Sequence, residues 1–205
     1  MQIFARDGYG NASIAQVAAK VGLTLPGLLH YFPSKTQMLL AVLDMRDLRS
    51  SPLPGQPAAD LETVAAGPPL PWADYLDQLR RINRSNAQMP GVIRAFSLLN
   101  TESLAQDHPA QAWFARRAER VLTVGARSLR QAQQRGEVDP TADPEQVAAE
   151  IVSVMDGLQI LWLRRPDRLD LVKFFEDYLD RLQHALAIGS QDQDGHAHVP
   201  AMPPV

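Results

Sequence analysis

The stretch GLTLPGLLHYFPSK, residues 22–35, decides the fold of the N-terminal part of the chain. Gly22 stands where the chain must turn sharply and where a Cβ would be costly. Thr24 can cap a short helix over residues 25–31, because its hydroxyl can accept a hydrogen bond from the first helical turn. Pro33 then ends this helix. The stretch therefore predicts a tight turn followed by a helix of two turns.

A second short helix precedes this turn, with Ser13 as its cap and Lys20 near its end. Ala18 is small at the point where the two helices must approach each other most closely. Two helices joined in this way form a helix-turn-helix, whose second helix enters the major groove of DNA. The residues predicted to be buried around the turn are Val17, Val21, Leu23, Leu28 and Tyr31.

Lys35 begins a third predicted helix, over residues 35–49, with Ser34 as its cap. A cation at a helix N-terminus works against the helix dipole, so a neighbouring anion would explain its presence. A DNA phosphate is the anion that this position favours. The alternative is a solvated lysine that tolerates a small electrostatic cost.

The composition narrows the class of protein. None of the 205 residues is cysteine, which excludes disulfides and thiolate chemistry and favours a cytoplasmic protein. No signal peptide is apparent, and no apolar run approaches the length of a membrane span, so no membrane contact is expected. The net charge of the chain is −3, yet residues 1–50 carry five Lys or Arg against three Asp. That local excess of positive charge permits a DNA contact.

Helical spacing dominates and no strand pattern stands out, so the predicted class is all-α. Prolines concentrate between Pro52 and Pro71, which predicts a mobile connection with a short helical piece at Asp60–Ala66. The predicted organisation is a helix-turn-helix DNA-binding domain at 1–49, a Pro-rich connection at 50–71, a helical body at 72–188 and a disordered tail at 189–205.

The body is predicted to contain five helices, at about 72–88, from 92 to before 107, at 109–135, after 143 to before 165, and at 167–188. Each of the last two has apolar residues at intervals of three and four. Such a stripe is either buried within the monomer or also pairs with a second subunit. The candidate dimerisation residues on these stripes are Met155, Leu158, Trp162, Phe175, Leu179 and Leu182.

No catalytic motif occurs in the chain: GxSxG, a phosphate-binding loop and GxGxxG are all missing. None of the five histidines has a metal-ligand partner four residues on, and His196 and His198 fall in the predicted tail. We therefore expect no enzymatic activity, no metal site and no cofactor.

The segment FARDGYGNASIAQVAAKVGLTLPGLLHYFPSKTQMLLAVL, residues 4–43, resembles the DNA-binding domain of the TetR family of transcriptional repressors. The body, over most of 72–186, more loosely resembles the ligand and dimer domain of the betaine-regulator-like branch of that family. The positions that carry the first resemblance are Phe4, Gly8, Tyr9, Ile14, Ala18, Gly22, Leu28, Phe32 and Lys35.

The resemblance implies a homodimeric repressor that binds a palindromic operator in double-stranded DNA and responds to a small-molecule effector of unknown identity. The effector would shift the helix that begins at Lys35 and so change the separation of the two reading helices. Backbone N–H groups near Ser13 would assist at the phosphates. By position, Thr24, Leu25, Pro26, Gly27 and His30 would face the groove, and Tyr31 and Lys35 would hold phosphates.

Two positions depart from the family pattern. Leu29 occupies a place where the family usually has tyrosine, and only three residues precede Phe4. The first helix is therefore expected to be incomplete, and a misplaced start codon is the preferred interpretation. The alternative function is a helical ligand-binding dimer with impaired or lost DNA binding.

Aromatic residues on the body helices are candidates for the effector site, since aromatic faces can hold a cation. The alternative is that they belong to the core. Glu102 and Asp156 are polar residues near these apolar faces. The candidate ligand-binding residues are Phe96, Asn100, Trp113, Phe114 and Trp162.

Overall fold

A computed structural model of the chain describes residues 1–50 and 65–188. Within these ranges the chain forms nine helices of seven residues or more and no strand, so the all-α prediction is confirmed. The predicted tail and most of the predicted connection, including most of Asp60–Ala66, lie outside the described residues. The helices are α1 Gln2–Asn11, α2 Ile14–Lys20, α3 Leu25–Tyr31, α4 Lys35–Ser50, α5 Trp72–Ala87, α6 Pro90–Glu102, α7 Gln111–Gln134, α8 Pro144–Arg164 and α9 Leu171–Ala185.

The helix-turn-helix has the predicted boundaries. Gly22 adopts a left-handed φ of 72° between α2 and α3, and the Thr24 hydroxyl accepts from the Gly27 N–H at 3.1 Å. Ser34 caps α4 by accepting from the Gln37 N–H at 3.1 Å. Ser13 holds the N-cap position of α2, although its side chain makes no capping bond. Local capping chemistry is therefore enough to fix where these helices begin.

The prediction of burial around the turn is partly wrong. Ala18 of α2 and Leu28 of α3 are buried, but Val21, Leu23 and Tyr31 are exposed, Tyr31 by 70%. Two helices of seven residues each have only one side turned towards the rest of the domain. The turn and the outer side of α3 therefore project into solvent.

A first apolar core joins the N-terminal helices to the body. Residues from α1 to α4, among them Phe4, Leu39 and Leu43, pack in one cluster with Phe96 of α6 and Phe114 of α7. The predicted boundary in the Pro-rich segment therefore does not separate two cores. The helix-turn-helix is joined to the body through its neighbours, because α1 packs on α6 and two aspartates of α4 bond to α7, so a movement of α6 or α7 can reach it.

A second core holds the rest of the body together. It is formed by α5, α7, α8 and α9, with Leu76, Ile151, Phe175 and Leu179 at its centre. The helix α8 begins where its cap predicts, because Asp143 accepts from the N–H groups of its first turn, whereas α6 ends at Glu102, earlier than predicted. The last helix begins at Leu171, four residues later than predicted, because Asp170 is its cap.

The helix α8 is long and apolar enough, by length and composition alone, to cross a membrane, contrary to the expectation from sequence. Only 22% of the relevant 18-residue window is buried within the described structure. Ile160 and Leu161 of α8 and Phe174 of α9 are exposed on neighbouring helices. This face of the body is therefore apolar and uncovered in the monomer.

Candidate nucleic-acid interface and effector cavity

The outward side of α3 is the candidate DNA-reading surface. Thr24, Leu25, Pro26, His30 and Tyr31 are exposed, and Gly27 is half-buried. The rings of His30 and Tyr31 meet edge to face with their centroids 5.5 Å apart. The structure therefore brings the predicted α3 residues onto one accessible surface, which joins polar groups to apolar ones that can meet thymine methyl groups.

Lys35 is engaged within the protein. Its ammonium donates to the carbonyl oxygens of Gly10 and Ala12 at 3.0 and 2.9 Å and lies 4.4 Å from the centre of the Tyr9 ring. Ala12 is the C-terminal cap of α1. Carbonyls at a helix C-terminus attract cations, so these bonds explain a lysine at the start of α4 without a phosphate.

A second polar contact joins α1 to the body. The Tyr9 N–H donates to the Glu102 carboxylate at 2.9 Å, beside Gly8, whose left-handed φ of 69° breaks the helical geometry of α1. A Cβ on Gly8 would overlap a Glu102 carboxylate oxygen. Glycine at this position therefore allows the end of α6 to approach the backbone of α1.

The body contains a cavity of about 110 Å³, whose walls come from α4 to α8. Arg46 and Asp47 of α4 are part of this wall, so the helix that follows the reading helix also lines the cavity. Most of the remaining wall is apolar. Its aliphatic side chains are Leu79, Ile82, Val121, Val124, Ile151, Val152 and Met155.

Two guanidinium groups share one carboxylate in the cavity wall. Asp47 accepts from Arg46 Nη1 at 3.0 Å and from Arg117 Nε at 3.1 Å to each oxygen. Both guanidiniums lie by the Phe96 ring, 3.8 Å and 4.9 Å from its centre. Burial and the charge of Arg117 lower the pKa of Arg46 to about 10, against the opposing pull of Asp47.

Asp156 adds a second carboxylate to the cavity, from α8. Burial raises the pKa of its carboxyl group, and the guanidiniums of Arg117 and Arg46 oppose that rise. Burial also raises the pKa of the Tyr75 hydroxyl, which lies against Gly125 where a Cβ would collide with it. The polar part of the cavity thus combines positive, negative and neutral groups in a largely apolar enclosure.

The predicted ligand residues are only partly brought together. Phe96 lines the cavity, whereas Trp113 donates to Asp44 of α4 at 2.7 Å and Phe114 belongs to the first core. Trp162 lies by a separate, shallow depression near the end of α8. Asn100 is absent from the cavity wall and its backbone carbonyl accepts from the Ser103 hydroxyl. The rings of Phe96, Phe114 and Trp113 meet edge to face in series, with centroids 5.2 and 4.9 Å apart. Of these three only Phe96 lines the cavity, and its ring is already in contact with guanidiniums.

Sequence reasoning missed most of the polar wall. Arg46, Asp47 and Arg117 were not singled out, and neither were the amides of Gln78 and Gln159. A signal was present, because Gln78 follows Tyr75 by three residues and Gln159 follows Met155 by four, which places both on apolar helix faces. Polar side chains within an apolar stripe are the pattern that would have predicted a cavity.

The dimerisation candidates also need correction. Phe175 and Leu179 are completely buried in the second core, so they cannot meet a second subunit. Met155, Leu158, Trp162 and Leu182 are partly buried, and Met155 faces the cavity. The apolar residues that are exposed on α8 and α9 are instead Ile160, Leu161 and Phe174.

Two family models match the chain. Residues 1–42 match the bacterial regulatory proteins of the TetR family, and residues 98–184 match the C-terminal domain of BetI-type transcriptional repressors. No curated protein sequence matches the chain at a significant level.

Solved structures share the fold at low sequence identity. A transcriptional regulator from Saccharomonospora viridis in complex with choline is 18% identical, with a TM-score of 0.68 over 91% of this chain and 92% of that one. The repressor SmeT of Stenotrophomonas maltophilia, in complex with triclosan, is 17% identical, with a TM-score of 0.72 over 98% and 93%. NalD, a repressor of a multidrug efflux pump in Pseudomonas aeruginosa, is 18% identical, with a TM-score of 0.66 over 92% of each chain.

The helix-turn-helix, the helical body and the two family models together define the class of protein. The chain belongs to the TetR family of bacterial transcriptional regulators, with a C-terminal domain of the BetI type. The recognition from sequence is confirmed.

Proposed function

We propose that the protein is a homodimeric repressor that binds a palindromic operator and releases it when a small molecule enters the body. The observation that carries this proposal is the double role of α4. It begins beside the reading helix α3, and its Arg46 and Asp47 form part of the cavity wall. One rigid element therefore connects the ligand site to the DNA-reading surface.

The reading surface assigns roles to individual side chains. His30 is the polar group on α3 best placed to contact a base edge, and Leu25 and Pro26 can meet thymine methyl groups. Tyr31 and the backbone at the start of α2, near Ser13, would hold phosphates. Lys35 acts as a positioning residue, because it fixes the end of α1 against α4.

Dimerisation through α8 and α9 would cover the apolar face that the monomer leaves exposed. Ile160, Leu161 and Phe174 lie on that face, and Gly157 is exposed on the same side of α8. A second copy related by a two-fold axis would bury these residues and place two α3 helices on one side of the dimer. The apolar character of α8 is then explained by a protein partner rather than by lipid.

The response to ligand depends on the ties between α4 and α7. Asp47 of α4 accepts a hydrogen bond from Arg117 of α7, and Asp44 of α4 accepts one from Trp113 Nε1 of α7. A ligand that enters the cavity meets Arg117 and displaces or reorients it. Because α4 is tied to that side chain, the ligand then favours a dimer geometry in which the reading helices no longer match successive grooves.

The ligands of related structures point to small organic molecules in general. The Saccharomonospora viridis regulator holds choline and SmeT holds triclosan. Recognition of a quaternary ammonium usually employs a cage of aromatic rings. Here Tyr75 and Phe96 are the aromatic side chains of the cavity wall, and guanidiniums lie by the Phe96 ring. These contacts do not favour choline as the effector of this chain.

A ligand-binding helical dimer without DNA binding is the second candidate function. The observation that favours it is that most cations of the reading module whose side chains the structure describes are engaged within the protein. Arg6 pairs with Asp7, Arg46 is buried, and Lys35 is bonded to backbone carbonyls. Lys20 is exposed near the end of α2.

Selection of DNA from a random duplex pool separates the two functions. The immobilised chain is expected to enrich a palindromic sequence whose half-sites lie about one helical turn apart or somewhat more. A chain with His30→Ala should enrich the same palindrome with relaxed preference at one position of each half-site. Failure of the wild-type chain to enrich any sequence would contradict the repressor and leave the ligand-binding dimer.

A further inference from the structure

The polar groups of the cavity are balanced in charge and incompletely hydrogen-bonded. Among the described residues of the cavity wall, Arg46 and Arg117 supply two positive charges, and Asp47 and Asp156 supply two negative ones. Arg117 uses Nε for Asp47, and its two terminal nitrogens make no hydrogen bond within residues 1–50 and 65–188. The carboxylate of Asp156 likewise accepts no hydrogen bond from the described residues.

Three side-chain carboxamides in the cavity wall also lack hydrogen-bond partners among the described residues. Gln78, Asn86 and Gln159 line the cavity and are 7%, 2% and 3% exposed as whole residues. Their side-chain amides form no hydrogen bond with any other described part of the chain. None of their amide atoms is among the fully buried polar atoms that lack a partner in the described residues, so these amides reach the open space of the cavity. Their donors and acceptors are therefore available to a molecule inside the cavity.

Together, these charged groups and amides restrict the charge of a molecule that binds in the cavity. A carboxylate ligand would bring a third negative charge, and an ammonium ligand a third positive one, into a balanced and largely apolar enclosure. An unmatched charge in such a place is unfavourable. A neutral head that both donates and accepts hydrogen bonds can instead satisfy Arg117, Asp156 and the amides together.

We propose that the effector is a neutral molecule with an apolar body and a head group, such as an amide or a hydroxyl, that both donates and accepts hydrogen bonds. The head lies among Arg117, Asp156, Asn86 and the two glutamines, and the body lies against the aliphatic wall. This inference rests on the proposed ligand-responsive function and names the ligand class of the same cavity.

Three ligands with nearly the same shape test the proposal. 4-Butylbenzamide, 4-butylbenzoate and 4-butylbenzamidine have planar heads of similar size that are neutral, negative and positive at pH 7. Isothermal titration calorimetry of the full chain without DNA should give a dissociation constant at least tenfold lower for the benzamide than for either charged analogue. Because no DNA is present, this result is independent of whether the chain binds an operator.

A charge variant provides the internal check. Asp156→Asn leaves the cavity with one excess positive charge, so the benzoate should gain at least tenfold in affinity relative to the benzamide. Asp180→Asn is the matched control, since this exposed carboxylate of α9 pairs with Arg80 and lies outside the cavity wall. It should leave the order of affinities unchanged.

Three results would overturn the inference. They are tighter binding of the benzoate, tighter binding of the benzamidine, or no saturable binding of any of the three at millimolar concentration. Operator binding that persists in any of these cases would leave the repressor function standing and reject only the ligand class.

Discussion

Arg117 of α7 donates its Nε–H to both carboxylate oxygens of Asp47 of α4 at 3.1 Å, and this bond ties the effector cavity to the helix that follows the DNA-reading helix. Both side chains are mostly buried. The same carboxylate also accepts from Arg46, so it compensates two guanidiniums. In the proposed mechanism, the effect of a ligand on the reading module therefore depends on this one carboxylate.

Asp47→Asn should destabilise the protein and uncouple ligand from DNA. Removal of the shared charge leaves two guanidiniums close together, and we expect a loss of about 2 kcal/mol in the free energy of unfolding. Operator affinity should then respond little to ligand. Urea unfolding and anisotropy with and without ligand measure the two effects. Asp180→Asn is the control, because this exposed carboxylate of α9 pairs with Arg80, lies outside α4 and the cavity wall, and should be worth less than about 1 kcal/mol.

Gly8→Ala should disturb the junction between α1 and α6. The left-handed φ at Gly8 and the overlap of a Cβ with Glu102 both oppose the substitution, at a cost of about 1–3 kcal/mol. Gly10→Ala is the matched control, since a Cβ at Gly10 meets no atom within 4 Å. Thermal unfolding compares the two variants, and equal stability would show that the Glu102 contact does not constrain α1.

Lys35→Met separates a positioning role from a phosphate contact. Because the ammonium donates two hydrogen bonds to carbonyls at the end of α1, we expect a loss of about 1–2 kcal/mol in stability. The slope of log affinity against log salt should remain unchanged. A slope that falls by about one would instead assign Lys35 to a phosphate.

Leu161→Glu should separate the subunits of the proposed dimer. Leu161 is 53% exposed on the apolar face of α8, and a carboxylate there would be buried against the partner. Light scattering should show a monomer for this variant and a dimer for wild type. Leu104→Glu is the control: this residue is 80% exposed and lies after α6, outside α8 and α9, so the dimer should persist.

Asp156→Asn should make stability less sensitive to pH. Burial raises the pKa of this carboxyl in the folded protein, so the folded state holds the proton more tightly than the unfolded one. The resulting stabilisation is present below the unfolded pKa, about 3.9, and is lost as pH rises through the folded pKa. As pH rises above about 4, the Tm of the variant should therefore increase relative to the Tm of wild type. A constant difference across this range would contradict the assignment.

Capping residues made the helix boundaries predictable, because a cap acts within four residues of sequence. Thr24, Ser34 and Asp143 all bond as expected from their neighbours. Which residue of an apolar stripe faces outwards was not predictable. Phe174 is exposed while Phe175 is completely buried, and only the tertiary packing of α9 on α5 and α8 distinguishes them.

The cavity was equally hard to predict, since its charged groups come from helices far apart in the chain. Arg46, Arg117 and Asp156 belong to α4, α7 and α8, and no local spacing relates them. The contacts that Lys35 makes within the protein were not predictable for a similar reason. The carbonyls that it contacts belong to a helix more than 20 residues earlier.

Sequence-preferring DNA binding is the central claim, and fluorescence anisotropy of the full chain on duplex DNA from its own upstream region tests it most directly. The duplex is compared with a scrambled duplex across a series of salt concentrations. The account predicts much tighter binding to the upstream duplex, with an affinity that falls steeply as salt rises. Equal affinity for both duplexes at every salt concentration would contradict it.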